Sequence, residues 1–409
     1  MIYKLELENF YSFRDRQILD LSVPLTAPSD TERFGEIFSG SKLRAPKVLA
    51  LFGANASGKS TILKAISFIS WFVTRSFDHS GPALPIERFN DFESSNRPIR
   101  LAIEFGGALN LDEAVVGAIV GKSVVSHGVY RYELELATKD GFVGSVNKET
   151  LLQKPNGEGR WHRVFDRRVA SKLLGSKQFP LAGFAQVTDK VRVNASVVST
   201  LAKFNHQPSQ LFISAANKVL SNIFIDKFEP ADSAVFVQMA GNADLVQKLN
   251  ADLQRIDVGI EKAEVLQTAS GPTLVFNHEG HGGSMPWGLE SHGTRSFIRV
   301  FPWLSSALAL GGVAVLDELD ISIHPLILPE IIRWFYSKAR NPNDAQLFMS
   351  CHSVSLLEEL SKEEIVMCEK DRQGRSTVYS LTDVKSTLRK DNYYRKYMGG
   401  EYGAVPRIG

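Results

Sequence analysis

The amino-acid sequence predicts an α/β fold of the P-loop kind, with an antiparallel β meander and a helical insertion. Three observations predict it. A short apolar run, Val48-Leu49-Ala50-Leu51-Phe52, leads directly into Gly53-Ala54-Asn55-Ala56-Ser57-Gly58-Lys59-Ser60-Thr61, which fits the pattern G-x-x-x-x-G-K-[ST] in full. Apolar residues then recur at helical spacing through Ile62, Leu63, Ala65, Ile66, Ile69 and Phe72. A second apolar run, Gly312-Val313-Ala314-Val315-Leu316, ends in the paired carboxylates Asp317 and Glu318.

Taken in order, residues 1 to 23 read as two strands joined by a turn. Ile2, Leu5 and Leu7 precede the turn, and Ile18, Leu19, Leu21 and Val23 follow it. A polar loop is expected from about Thr26 to Pro46, before the strand that enters the glycine loop. Residues 99 to 165 alternate as a strand meander, as in Ile99-Leu101-Ile103-Phe105 and Tyr130-Tyr132-Leu134-Leu136, with turns at Lys139-Asp140-Gly141 and Pro155-Asn156-Gly157. Residues 168 to 262 are mostly helical and carry no sustained heptads, which excludes a long coiled-coil arm. Strands and helices return from about Ala263. The expected units are an N-terminal lobe at 1–165, a helical insertion at 166–262 and a C-terminal lobe at 263–409. Lys59 and Asp317 are too far apart for one crossover unit, so the two lobes must return to one sheet.

With 44% hydrophobic and 22% charged residues, the chain can fill a large core. Its 47 basic and 45 acidic side chains leave a net charge of +2, too neutral to announce nucleic-acid binding. Cys351 and Cys368 lie beside apolar runs and read as buried free thiols, suited to a reducing compartment. No apolar stretch reaches the ~18 residues that span a bilayer, and the N-terminus lacks the apolar block of a signal peptide. A cytoplasmic protein with no membrane partner is expected.

The chemistry follows from residue types. Glycines let the 53–61 loop curl so that its backbone N–H groups face phosphate oxygens, and the helix behind it adds its positive end. Lys59 can reach β- and γ-phosphates, and the Ser60 hydroxyl can ligate Mg²⁺. Asp317 can support the same metal. Glu318 is placed to orient and deprotonate an attacking water. A third strand, Gln346 to Ser350, ends in Cys351-His352-Ser353, where His352 can sense a γ-phosphate. The Asn277-to-Gly283 stretch, with His278, Glu279 and His281, has too few ligands for a metal site and reads as a turn. Tyr393, Tyr394 and Tyr397 read as a packing or docking tail, and Arg372 to Arg375 as a hairpin turn.

These residues resemble ABC-type ATPases of the SMC, RecF and OLD group, and within it the RloA-type ATPases of bacterial phage-defence and abortive-infection loci, including PARIS-like systems. The resemblance runs from Asn9-Phe10 and Ser12-Phe13 through the glycine loop to Glu290-Ser291-His292-Gly293-Thr294-Arg295. It continues through Leu316-Asp317-Glu318 to His324-Pro325, then the His352 segment and the ending Glu401-Tyr402-Gly403-Ala404-Val405-Pro406. It implies an ABC/SMC-type ATPase head that binds ATP and Mg²⁺ and hydrolyses ATP. It implies that Ser291, His292, Gly293 and Thr294 act as a signature segment, crossing to the γ-phosphate held by a second copy. A homodimer or higher homo-oligomer is therefore expected, with a separately encoded nuclease- or toxin-like effector. The alternative is a RecF- or SMC-like role in DNA repair or chromosome maintenance, which leaves nucleic acid open as a partner. The chain departs from transporter subunits in lacking Leu-Ser-Gly-Gly-Gln. The Toprim nuclease domain of OLD proteins is not expected, and the glutamine loop has only Gln186 and Asn217 as candidates.

Overall fold

The computed structural model describes residues 1–24, 27–79, 85–109, 126–256, 259–321, 323, 327–385 and 387–406. Its centre is a six-stranded sheet in the order Val219–Ser221, Val313–Leu316, Gln346–Ser350, Val48–Phe52, Ile365–Lys370, Ser376–Ser380. The first five strands are parallel, and the last is an antiparallel edge. Every residue of Val48–Phe52, Val313–Leu316 and Gln346–Ser350 is buried. That explains why these strands are near-continuous apolar runs without alternation: both faces of the sheet are covered.

The covers differ. On one face Leu49, Leu51, Val313, Val315 and Phe348 pack with Ile62, Leu63, Ile66, Ile69 and Phe72 of the helix Lys59–Arg75. The other side of that helix meets a seven-stranded antiparallel sheet, through Leu5, Leu7, Leu101, Ile103 and Leu134. On the opposite face of the central sheet Val48, Ala50, Ala314, Leu316 and Leu347 pack with the helices His292–Leu310 and Leu328–Tyr336. The phosphate-loop helix is thus enclosed between two sheets, and its apolar stripe extends round most of its girth as such burial requires.

The antiparallel sheet runs Leu174–Gly175, His162–Arg168, Phe142–Pro155, His127–Lys139, Ile99–Ala108, Ile2–Glu8, Gln17–Asp20. The meander read from 99 to 165 is therefore one part of a larger sheet, because Ile2–Glu8 pairs with Ile99–Ala108 across the whole phosphate-loop region. Local alternation marks the strands and says nothing of such distant pairing. The expected polar loop before Pro46 instead contains a ribbon of Phe34–Glu36 with Arg44–Pro46. Phe34 anchors it against Val23 and Ala27. Strands of three residues are too short for period-2 alternation to register.

Residues 166–262 carry the helices Ala185–Thr188, Val197–Ala202, Gln207–Ala216, Asp232–Ala240 and Ala243–Ile256. The same stretch supplies Val219–Ser221, the edge strand beside Val313–Leu316. Near the end, the helix Tyr393–Met398 buries Tyr393 and Tyr397, and the Tyr397 hydroxyl donates to the Ala404 carbonyl at 3.0 Å. These tyrosines pack. Cys351 and Cys368 are buried free thiols, and burial pushes the Cys368 thiol up to about 12. Among the described residues no helix is long and apolar enough to cross a membrane.

Candidate active site

The strands ending at Phe52, Leu316 and Ser350 are neighbours, with Gln346–Ser350 between the other two. Their carboxyl ends therefore deliver Gly53, the Asp317-Glu318 pair and His352 to one place, where ligands of open parallel sheets bind. The loop conformation needs its glycines. Gly53 has φ 148°, and a Cβ there would stand 2.2 Å from the Cys368 carbonyl oxygen. Gly58 has φ 111° and precedes the helix Lys59–Arg75, whose N-terminus has no side-chain cap. Those free N–H groups form an anion-binding end. Ala56 also takes a left-handed conformation, φ 60°.

Lys59 folds over the loop, donating to the carbonyls of Gly53 at 2.9 Å and Ala54 at 3.1 Å. Burial lowers its ammonium below the ordinary value, while Asp317, Asp320 and Glu318 act in the opposite direction. The Ser57 hydroxyl is buried with no hydrogen-bond partner among the described residues. A buried cation held only by carbonyls, beside an orphaned hydroxyl, fits a polyanionic ligand. Ser60 Oγ donates to Asp317 Oδ1 at 3.0 Å across 257 positions, so the two expected metal ligands adjoin. A serine hydroxyl with a carboxylate is an oxygen set suited to Mg²⁺.

Asp317 is held from several sides. Ser350 Oγ donates to its Oδ1 at 2.6 Å. The Asn222 amide grips its backbone, accepting from the Asp317 N–H at 2.6 Å and donating to the Asp317 carbonyl at 3.0 Å. Glu318 has φ 51°, and its N–H donates to Ser350 Oγ at 2.8 Å. A left-handed glutamate is uncommon and turns the side chain away from the strand direction. Glu318 Oε2 lies 3.2 Å from Lys227 Nζ, and Oε1 lies 3.8 Å from His352 Nε2. Asp320 Oδ2 accepts from the His352 N–H at 2.6 Å and from the Ser353 N–H, fixing the turn that carries the histidine.

Sequence reasoning did not select Asn222, Lys227, Ser350 or Asp320. Asp320 and Ser350 adjoin selected motifs, and that adjacency was the available signal. Asn222 and Lys227 have none, since they come from the edge strand and the turn after it. Neither Gln186 nor Asn217 lines the cleft: Gln186 lies on the helix Ala185–Thr188, and Asn217 ends the helix Gln207–Ala216. His324 and Pro325 lie outside the described residues.

An open cleft of about 1380 Å³ spreads from Asn55–Thr61, Glu318 and His352 to Tyr11, Phe89, Thr138 and Lys370. None of Ser291, His292, Gly293 and Thr294 lines it. They head the helix His292–Leu310, where Ser291 Oγ accepts from the Thr294 N–H at 3.0 Å. Ser291 and His292 are exposed. Behind them Glu290 accepts the His278 ring nitrogen at 2.5 Å, which accounts for one histidine of the 277–283 turn. The structure thus brings together the glycine loop, Asp317, Glu318 and His352, and keeps the 291–294 segment elsewhere on the same chain.

A family model described as "AAA domain, putative AbiEii toxin, Type IV TA system" matches residues 48–358. No curated protein matches the chain. Among solved structures, the SMC head domain from Thermotoga maritima is similar at 13% identity and a TM-score of 0.41, covering 93% of this chain and 98% of that one.

Proposed function

The chain belongs to the AAA-domain family whose description names the AbiEii toxin and a type IV toxin–antitoxin system, and we propose that it hydrolyses ATP in a site shared between two copies of itself. We propose further that this turnover serves an anti-phage defence system, by holding and releasing a separately encoded effector. The observation that carries the ATPase reading is the 3.0 Å contact of Ser60 with Asp317, which unites the phosphate loop and the paired acids at the ends of the two strands flanking Gln346–Ser350.

In this reading the loop N–H groups and Lys59 bind the triphosphate of ATP, with Lys59 exchanging its carbonyl partners for phosphate oxygens. Ser60 and Asp317 would hold Mg²⁺, which supplies charge neutralisation for the phosphates when bound. Glu318 accepts a proton from the attacking water, and His352 donates a hydrogen bond towards the γ-phosphate end of the cleft. Ser291 and His292 are exposed at a helix N-terminus, and the 291–294 segment lies outside its own cleft, which favours its closing over nucleotide held by a second copy. Hydrolysis then releases the pair, so that the chemistry times an assembly state.

Glu318→Gln tests the assignment. The variant is expected to bind ATP and accumulate as a dimer or larger oligomer in light scattering, with turnover at least about 100-fold reduced. Normal turnover by this variant would remove Glu318 as the base. For the biological role, the native chain should co-purify with a nuclease- or toxin-like protein that ATP displaces. DNA-stimulated turnover with steep salt dependence would favour the repair or chromosome-maintenance reading instead.

A further inference from the structure

We propose that Lys227 is a positioning residue for Glu318, and that the segment 222–232 carrying it links that carboxylate to the helix headed by Ser291. The inference rests on Glu318 being the base. A glutamate side chain has several rotatable bonds, so a base that must meet water in one orientation needs its carboxylate fixed. Here one oxygen is held by Lys227 at 3.2 Å and the other faces His352 at 3.8 Å. Lys227 does not line the cleft, so it acts on the carboxylate from behind and leaves the phosphates to Lys59.

The position of Lys227 is itself determined from both ends of its segment. At the start, Asn222 clamps the Asp317 backbone through two hydrogen bonds. The Phe228 N–H returns to the Asn222 carbonyl at 2.8 Å, and Ile223 bridges Lys227, closing a tight turn. At the far end, Arg299 of the helix His292–Leu310 donates to Asp232 Oδ1 at 2.7 Å and to Glu229 Oε2 at 2.9 Å. Asp232 also accepts from Trp287 Nε1 at 2.8 Å, and the Phe228 ring meets Trp303 edge-on at 5.9 Å. One short segment therefore touches the metal-binding acid, the base and the helix whose N-terminus is proposed to engage a second copy. A shift of that helix on engagement reaches Glu318 through Arg299, Asp232 and Lys227 without passing through the nucleotide. This gives residues 166–262 a part in the hydrolytic step.

The test is steady-state ATPase kinetics with nucleotide binding measured separately. Lys227→Met should lower kcat about 10- to 100-fold while KM and ATP affinity stay within about twofold, because the base is misplaced and the phosphates are untouched. Lys227→Arg should recover most of the rate by restoring the cation. Asp232→Ala, at a residue that does not line the cleft, should lower kcat in the same way. Wild-type kcat in Lys227→Met, or a loss confined to KM, overturns the positioning role, and a wild-type rate in Asp232→Ala overturns the link to the helix. Glu318→Gln run in parallel separates the two levels. If it is inactive while Lys227→Met is normal, only this inference fails; if it turns over normally, the reading of Glu318 fails as well.

Discussion

Asn222 holds the Asp317 backbone with a buried amide that accepts from the N–H and donates to the carbonyl of that one residue. Asn222→Leu should therefore orphan a buried N–H and a buried carbonyl, at about 1–3 kcal/mol each. A lower urea midpoint, together with weakened Mg²⁺-dependent nucleotide binding, is the expected result. Gly53→Ala acts differently. A Cβ 2.2 Å from the Cys368 carbonyl, on a residue at φ 148°, must displace the loop itself. Strain of about 1–3 kcal/mol predicts ATP binding weaker by roughly 10- to 100-fold in titration calorimetry. Most glycine-loop positions and both acids were legible in the sequence, because their chemistry imposes a fixed spacing on neighbouring residues. Asn222 was not. It acts on backbone brought alongside by sheet pairing, and the two glutamine-loop candidates, Gln186 and Asn217, do not line the cleft.

Among the elements, the antiparallel sheet contributes an ionic cluster at its centre. Arg131 donates to Glu6 and Glu104 at 2.7 Å each and to Glu133 at 2.6 Å, while Arg16 donates to Glu6 at 2.6 Å. Burial by itself raises the Glu6 carboxyl, but Arg131 and Arg16 prevail and hold it at about 2, below its ordinary 4.5. A folded-state value below the unfolded one stabilises fully above about pH 4.5 and loses that contribution as pH falls towards about 2. Acid should therefore lower the urea midpoint across that window. Arg131→Met should destabilise by about 1–3 kcal/mol at neutral pH, since Glu104 is left with only the Tyr3 hydroxyl while Glu6 keeps Arg16 and Glu133 keeps Lys148. A flat midpoint between about pH 5 and 3 in the wild type would contradict this account of the cluster. The individual strands were legible through alternation. Their partners were not, because Ile2–Glu8 joins Ile99–Ala108 by a pairing that no local period encodes.

At the scale of the whole molecule, the head is assembled from distant parts of the chain, as the separation of Lys59 from Asp317 demanded. The edge strand Val219–Ser221 shows why residues 166–262 stay bound to this head: it pairs with the strand that delivers Asp317 and leads into Asn222 and Lys227. Its three residues gave no periodic signal. In the proposed reading a second copy closes over the nucleotide, because Ser291 to Thr294 stand outside their own cleft. The most direct test mixes two inactive variants, Lys59→Ala, with a disabled phosphate loop, and Ser291→Arg, with a disabled signature segment. Each alone should be silent. Mixed in equal amounts they should recover about a quarter of wild-type turnover, since half the pairs are mixed and each mixed pair has one intact site. Wild-type turnover per chain should also rise with protein concentration. A silent mixture, alongside wild-type turnover independent of dilution, would contradict a site shared between two chains.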